Sequence, residues 1–555
     1  MSASNINGIV FLRMLSSAAA NLKKHEEEVN DLNVFPIPDG DTGSNMLLTL
    51  LGGVSDPDSG DADVGKAAKT AADGMLMCAR GNSGVILSQF FSGMADGLAR
   101  FNETGRDGLA AAFEAGVRKA YGAVLEPVEG TVLTVARESS EFAGAADSDT
   151  PEKFLGDVVE AAKRSLARTP ELLKVLKDAG VVDSGGAGFI YIVEGMKGAL
   201  TGETGGDAFT ESRGGAREAK EIDYERFTSD SVLEYGYCTE VLVRLQNSKC
   251  DVENFDVGIV RDFLQTVGDS IVAFRSGSAL KIHVHTMTPD RVLAYCRRYG
   301  EFLTVKIENM SLQHSNLDPE TAAGSDSPKK HITTKAKPFG IVCVASGEGV
   351  ARCFRDLGAD EIISGGQSMN PSTKDFIDAF SEINAEHIIV FPNNSNIILA
   401  AQQAASIYKD AKVTVVNSVS IGQCHAALTI MNPLLPPDEM ISEMEESMSE
   451  VVTAAVSRCV RDAHQDVFDL HSGQYIGFTG KKVVSADNDR FDTARMLVDA
   501  LDFGDREVCI IFSGREAVPE ETEELKAHIE RTRPFTEVYC VNGEQEIYDY
   551  IIVLE

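Results

Sequence analysis

The sequence predicts a multidomain protein in three parts: an all-α domain, a small α+β domain, and an α/β domain. Three observations carry this. Ala- and Leu-rich segments with helical spacing of apolar residues fill the chain from Met1 to about Leu200. After a Gly-rich break at Thr201–Glu221, runs such as Cys238-Thr-Glu-Val-Leu-Val-Arg-Leu alternate in the manner of strands. Beyond a second polar break, Ser315–Lys337, short β-rich runs alternate with amphipathic helical stretches. The 555 residues leave room for three or four units of ~100–200 residues each. The expected domains are 1–200, 222–315 and 338–555.

Composition narrows the function classes. Hydrophobic content of 43% and charged content of 25% are ordinary for globular chains. The 85 acidic residues outnumber the 51 basic ones, for a net charge of −34. That argues against nucleic acid and anionic membrane surfaces, which both demand basic patches. No apolar run reaches the ~18 residues of a membrane span. The N-terminus carries its first charge at Arg13 and reads as an amphipathic helix, not a signal peptide. Ten scattered cysteines without a Cys-x-x-Cys spacing fit reduced thiols and a cytoplasmic location.

In the first domain the helical segments are Gly65–Ala79, Gly84–Arg100, Gly108–Val124, Pro151–Ala167 and Pro170–Asp178, with loops gathered at one end. The most informative loop is Asn33 to Asn45. Asp39 and Asp41 flank one glycine, so both carboxylates can serve one hard-cation site such as Mg²⁺. Thr42, Gly43, Ser44 and Asn45 then stand at a helix N-terminus, a favourable place for phosphate. An isolated Asp-Gly-Asp would more often be a polar turn capping a helix. Gly60-Asp-Ala-Asp-Val-Gly-Lys-Ala67 nearly spells a phosphate-binding P-loop, but Ala67 replaces the metal-binding hydroxyl, so it reads as a loop entering a helix. Gly81, Asn82, Ser83 and Gly84, after Arg80, offer a second cradle at a helix start. Alone, they would be an ordinary Asn/Ser cap.

Val34-Phe-Pro-Ile-Pro-Asp-Gly-Asp-Thr-Gly-Ser-Asn-Met46 resembles the nucleotide–magnesium loop of the dihydroxyacetone kinase L-subunit family. Its Val-Phe-Pro variant is most similar to the fatty acid kinase A subunit. Arg80-Gly-Asn-Ser-Gly-Val85, Pro127-Val-Glu-Gly-Thr-Val-Leu-Thr-Val135 and Thr169 to Gly188 resemble further family elements, in family order. The resemblance implies a barrel of helices forming a kinase domain that binds ATP and Mg²⁺. It assigns Asp39 and Asp41 to the metal, Gly81–Gly84 to phosphate, and Gly130, Thr131 and Leu133 to the adenosine side. Asp183, Ser184 and Gly185 would close over the base or ribose, and Arg80 would stabilise transferred charge. One departure stands out. Where the L subunits carry a third acidic metal ligand, this chain has Asn33, with Asp31 nearby.

In the second domain, His283 and His285 are two apart on an expected strand and so share a face, and Cys238 opens another strand. Two imidazoles and a thiolate suit Zn²⁺, although a His-x-His pair is more often packing or surface. The flanking residues resemble the fatty acid kinase A middle domain, where these positions are linked to a metal; His314 is a further candidate. In the third domain, expected strands are Phe339–Ala345, Glu361–Ser364, His387–Phe391, Val413–Val416, Val508–Phe512 and Val538–Val541. Loops Gly365–Thr373 and Phe391–Asn396 follow strand ends, where α/β sheets bind ligands. The block is loosely similar to the DegV family of fatty-acid-binding proteins but lacks its Thr-Asp-Ser opening, having Ala345-Ser-Gly-Glu-Gly instead. It is therefore expected to dock a lipid carrier, not to hold lipid.

The resemblance as a whole implies an ATP-dependent kinase subunit. It would phosphorylate a fatty acid carboxylate, presented by a separate DegV-like fatty-acid-binding protein, to an acyl phosphate. The alternatives are a dihydroxyacetone-type kinase, whose covalent ketose-binding domain is not recognisable here, and a nucleotide-regulated binding protein without phosphoryl transfer. Whether the chain forms a homodimer is left open.

Overall fold

The computed structural model describes residues 5–32, 40–54, 61–124, 126–202, 237–252, 255, 257–264, 266–276, 279–309, 337–366, 370–432, 435–465, 468–504 and 506–555. The chain divides into two compact units. One joins Met1–Ser212 to Thr334–Glu555, and the other is Arg213–Thr333.

The first part of the large unit is helical. It comprises α1 (Gly8–Lys24), α2 (Glu26–Asp31), α3 (Thr42–Gly53), α4 (Val64–Cys78), α5 (Gly81–Leu98), α6 (Arg106–Gly122), α7 (Val132–Ala145), α8 (Pro151–Leu172), α9 (Lys174–Ala179) and α10 (Ser184–Thr201). A two-residue pairing of β1 (Ile6–Asn7) with β2 (Glu103–Thr104) is the one departure from all-α among its described residues. Local chemistry sets the helix starts. Asn7 caps the Val10 amide at 2.9 Å, Asp63 caps Lys66 at 3.0 Å, and Thr150 precedes Pro151 at the first helical position. The near-P-loop is thus a capped entry into α4, and Gly65 serves packing: a Cβ there would lie 2.7 Å from the Leu98 carbonyl.

Apolar faces of these helices meet in one core, where Phe90 contacts Phe91, Phe113 and Phe189 edge-on at 5.3–5.6 Å between centroids. Each such fully buried side chain contributes roughly 1.5–3 kcal/mol. Two boundaries differ from the sequence expectation. The Gly81–Gly84 stretch is the first turn of α5, not a loop before it. Helix α8 continues through Pro170, because the Leu166 carbonyl that Pro170 cannot bond is taken by the Thr169 hydroxyl at 2.8 Å.

The rest of the large unit has two sheets. Strands β7 (Gly340–Ala345), β8 (Glu361–Ser364), β9 (His387–Phe391) and β10 (Lys412–Val415) form a parallel sheet in the order β10-β9-β7-β8. Between them lie α13 (Glu348–Asp356), α14 (Thr373–Ser381) and α15 (Ile398–Ile407). After α16 (Ile421–Thr429) and α17 (Pro437–Glu450) the architecture changes from simple strand–helix alternation. Strands β11 (Val452–Arg458), β14 (Tyr475–Thr479), β15 (Lys482–Asp487), β16 (Val508–Ser513), β17 (Glu537–Asn542) and β18 (Tyr548–Leu554) form a six-stranded mixed sheet, order β15-β14-β11-β18-β16-β17. Helices α18 (Arg490–Ala500) and α19 (Pro519–Thr532) pack on it, and β12 (Ala463–Gln465) pairs with β13 (Phe468–Leu470) apart. The β14–β15 turn is carried by Gly480 at φ +57.

The helical part and the parallel sheet share a core. Ala79 and Val85 are packed in one buried cluster with Val344, Phe376, Ile388 and Ala401. No helix among the described residues is long and apolar enough to cross a membrane. The described cysteines are free thiols.

The smaller unit is an antiparallel sheet of β3 (Tyr237–Leu245), β4 (Gly268–Ser276), β5 (Ala279–Thr286) and β6 (Gly300–Asn309), in the order β4-β5-β3-β6, with α11 (Gly258–Leu264) and α12 (Pro289–Cys296). Val241, Val243, Ile282 and Val284 pack with Leu264 and Val292. Strand β6 was not expected from the sequence.

Candidate functional site

Helix α3 begins at Asp41, whose side chain makes no capping hydrogen bond to it. Asn30 does that work instead. Its Oδ1 accepts the Gly43 amide at 2.7 Å and the Ser44 amide at 3.3 Å, and its Nδ2 donates to Ser44 Oγ at 3.1 Å. The Ser44 hydroxyl donates to Glu26 Oε1 at 2.7 Å. Burial pushes the Glu26 carboxyl up, but hydrogen bonds from Lys23 and Ser44 outweigh it and hold it below its ordinary value. Gly43 is required by this close approach, since a Cβ would sit 2.6 Å from the Glu26 carbonyl. The Gly43 and Ser44 amides are therefore committed, and Asn45, 5% exposed, is helical and buried. Asn33 and Asp39 lie outside the described residues. Asp31 ends α2, its carbonyl accepting from the Arg461 guanidinium at 2.5 Å.

The start of α5 lies against this turn. Gly81 opens the helix at φ +58, and a Cβ there would meet Asn45 Nδ2 at 2.7 Å and Asn370 Nδ2 at 3.1 Å. The first amides of a helix have no intrahelical partner, so the Gly81–Ser83 turn suits an anion better than the α3 turn does. Asn82 Nδ2 reaches the Ser395 carbonyl at 3.4 Å, while its Oδ1 is buried without a partner.

The segment after β8 docks beside it. Thr373 donates its amide to the Ala79 carbonyl at 3.1 Å, and Ser372 bridges Arg80. Arg80 Nη1 donates to the Asn370 carbonyl at 2.6 Å, and Nη2 lies 3.6 Å from the Asp375 carboxylate. Arg80, expected to meet transferred charge, is thus turned onto the docked segment. Asn370 Nδ2 donates to Asp41 Oδ2 at 2.6 Å, its residue is 1% exposed, and its Oδ1 has no partner. In the sequence this loop is marked only by its place after a strand, and Asn370 itself was missed. Its one signal is an Asn-Pro-Ser-Thr helix start at a strand end.

A third side comes from α7 and α10. One carboxylate joins them: Asp183 Oδ2 accepts the Gly186 amide at 2.7 Å, and the Asp183 side chain also accepts from the Val132 amide. Burial outweighs these bonds and pushes Asp183 up to about 6. Ser184 Oγ donates to Thr42 Oγ1 at 3.2 Å, bringing the starts of α3 and α10 together. Gly130, at φ +89, lies against Leu172 and Leu173, and Thr131 Oγ1 donates to the Val128 carbonyl at 2.8 Å. Gly185 lies against the Val132 side chain. Leu133 is 3% exposed in the helical core and does not line a surface pocket, as α7 turns it inward.

The residues fit a hard cation. Asp41 is not spent on capping, and a buried amide oxygen without a partner stands beside it. Among the described residues no group of three or more His, Cys, Asp or Glu converges as a metal cluster. The side chains of Cys238, His283 and His285 lie outside the description, as does His314; backbone register places Cys238 opposite His285 and Glu240 opposite His283.

Three family models match the chain. They are the FakA-like C-terminal model of the fatty acid kinases over residues 340–555, the DAK2 domain model over 36–198, and the FakA-like middle-domain model over 234–317. Protein YloV of Bacillus subtilis is 39% identical over 563 residues, covering 100% of both chains. An uncharacterised protein of Staphylococcus haemolyticus is 36% identical over 560 residues, again with 100% of both covered. A solved DegV family protein of Thermus thermophilus, described as fatty acid binding, overlays with a TM-score of 0.31 at 12% identity, covering 39% of this chain and 99% of its own. The dihydroxyacetone kinase of C. freundii overlays with a TM-score of 0.30 at 13% identity, covering 40% of this chain and 48% of its own. With a helical DAK2 domain and a sheet-bearing C-terminal region on one chain, the protein belongs to the FakA-like family of fatty acid kinase proteins.

Proposed function

We propose that the chain is an ATP-dependent kinase subunit that phosphorylates a fatty acid carboxylate, presented by a separate DegV-like fatty-acid-binding protein, to an acyl phosphate. The single observation that carries the reading is the convergence of the starts of α3, α5, α7 and α10, with Asp41 immediately before the first of them. A carboxylate oxygen of the fatty acid attacks the γ-phosphorus of ATP. The new O–P bond forms as the bond to the β-phosphate oxygen breaks, and ADP leaves. The acceptor is already ionised at neutral pH, so no general base is needed, and the protein's task is positioning and charge neutralisation.

In this reading Asp39 and Asp41 would hold Mg²⁺, with Asn33 or Asp31 beside them. The bound ion would neutralise charge on the phosphates. The amides of Gly81 to Ser83 and the Ser83 hydroxyl hold the transferred group, while the Gly84 amide, expected to join them, is taken by the Arg80 carbonyl at 3.1 Å. The α7 and α10 starts, clamped by Asp183, would flank the nucleoside through Gly130, Thr131, Ser184 and Gly185. Thr42 ties this wall to the metal loop. Arg80 anchors the docked segment and does not reach for phosphate. By role the chain divides into a kinase domain at 1–200, a middle domain at 222–315 and a partner-docking domain at 338–555, the helices of the first closing as a barrel. The middle domain would hold Zn²⁺ through Cys238, His283 and His285. No step of the reaction is assigned to that site.

The test is fatty-acid-dependent ADP formation by the full chain together with a fatty-acid-loaded DegV-like protein. Stimulation by dihydroxyacetone instead, or ATP turnover that survives Asp39→Ala, would contradict the reading. Equal zinc content in the wild type and Cys238→Ala would remove the zinc assignment.

A further inference from the structure

The proposed metal loop carries Asn33 where the family resemblance implies an acidic ligand, so it has one negative charge fewer. The α/β region brings a further polar side chain to Asp41. We propose that Asn370 is a positioning residue of the metal site: its Nδ2 fixes the Asp41 carboxylate, and its Oδ1 accepts a hydrogen bond from water on the bound cation. The inference rests on the ATP·Mg²⁺ reading above.

Asn30 takes the first amides of α3, and the Asp41 carboxylate makes no capping bond to that helix. Asn370 reaches it across 329 positions of sequence at 2.6 Å. The carboxylate also fixes the amide's orientation. Turning the amide over would set two acceptor oxygens against each other, so Oδ1 must be the atom without a partner. Leaving such a buried oxygen unsatisfied is unfavourable, and a donor at the site would relieve it. The wall around it is built for this approach. Gly81 has no Cβ at the point where one would lie 3.1 Å from Asn370 Nδ2, and Arg80 pins the Asn370 carbonyl at 2.6 Å.

Docking alone does not explain the residue. Gln403 already ties the two regions by donating to the Leu76 carbonyl at 2.9 Å and Thr373 Oγ1 at 3.0 Å. Replacing Asn370 by an apolar residue would serve that purpose without an orphaned oxygen. The arrangement makes the kinase site composite: its metal loop is completed by the region that is expected to meet the carrier. Binding at that region therefore has a direct mechanical route to Asp41.

The experiment is calorimetric titration of the full chain with a non-hydrolysable ATP analogue at graded Mg²⁺. Asn370→Ala and the similarly sized Asn370→Leu should each raise the Mg²⁺ needed for half-saturation about tenfold, the value of one charge-assisted hydrogen bond. Metal-free nucleotide affinity should stay as in the wild type. Gln403→Ala, which loosens the same docked face without touching Asp41, should keep the wild-type Mg²⁺ dependence. Leucine preserves the volume, so a shift seen with alanine alone would mark a packing effect and overturn the proposal. So would an equal shift from Gln403→Ala, or wild-type Mg²⁺ dependence in both Asn370 variants. In those three cases the ATP reading survives. If the wild type shows no Mg²⁺-dependent nucleotide binding, that reading falls and this inference falls with it.

Discussion

Two carboxylates at the same end of the helical domain are held in opposite ways. Asp183 is bound by main-chain amides of its own domain, Gly186 and Val132, and burial pushes it up to about 6. Asp41 is bound by a side chain from a different, sheet-bearing region. The first is a clamp, because one carboxylate holds the first turns of two helices, α7 and α10, together. The second is adjustable, since a docked segment holds it. One wall of the site is thus built into the helical fold, while the other depends on the α/β region.

The largest expected effect strikes the adjustable side. Asp41→Ala should lower fatty-acid-dependent ADP formation by at least about a thousandfold, the scale of losing several kcal/mol of charge positioning. Activity near wild type would remove Asp41 from the centre of the site and leave the contrast with Asp183 without meaning. Next, Gly81→Ala forces a Cβ to within 2.7 Å of Asn45 Nδ2 at a left-handed φ of +58, which should cost about 1–3 kcal/mol of stability in denaturant melts. It should also weaken Mg²⁺-dependent nucleotide binding, because Asn45 and Asn370 both have to move.

The clamp side is expected to show itself through pH. An acid raised to about 6 adds stability below its unfolded value and loses it as pH climbs through 6. Asp183→Asn keeps a capping side chain and should flatten the fall in stability between about pH 4 and 6 measured by thermal melts. A second group separates the windows. His425 is pulled down by burial, but hydrogen bonds to Cys353 and to Glu555, at 2.8 Å, outweigh this and raise it to about 9. Its contribution is whole below its unfolded value and fades as pH rises toward 9, so His425→Gln should flatten only that later decline. The smallest effect belongs to Ser184→Ala, which removes the 3.2 Å bond to Thr42 and should change stability by about 1 kcal/mol or less.

Much of this was legible in the sequence where local chemistry decides the outcome. The near-P-loop was readable as a loop entering a helix from the missing hydroxyl at Ala67, and α4 starts at Val64, one residue before the expected Gly65. Strands β8 and β9 fall at Glu361–Ser364 and His387–Phe391, as their β-branched runs suggested. Tertiary choices were not legible. Thr169 lets α8 pass Pro170 by taking the Leu166 carbonyl, although proline normally argues for a break. The mixed sheet places the C-terminal strand β18 between β11 and β16, a pairing set by long-range register. Asn370 carries no local mark of its role, since that role exists only once α14 has docked against Ala79 and Arg80.

The most direct measurement is a double-mutant cycle of Asp41→Asn and Asn370→Ala, read as the Mg²⁺ needed to half-saturate binding of a non-hydrolysable ATP analogue. Because Asn370 acts in part by fixing Asp41, Asn370→Ala should raise the Mg²⁺ requirement less in the Asp41→Asn background than in the wild type. Two losses that multiply in full would contradict a link between Asn370 and Asp41.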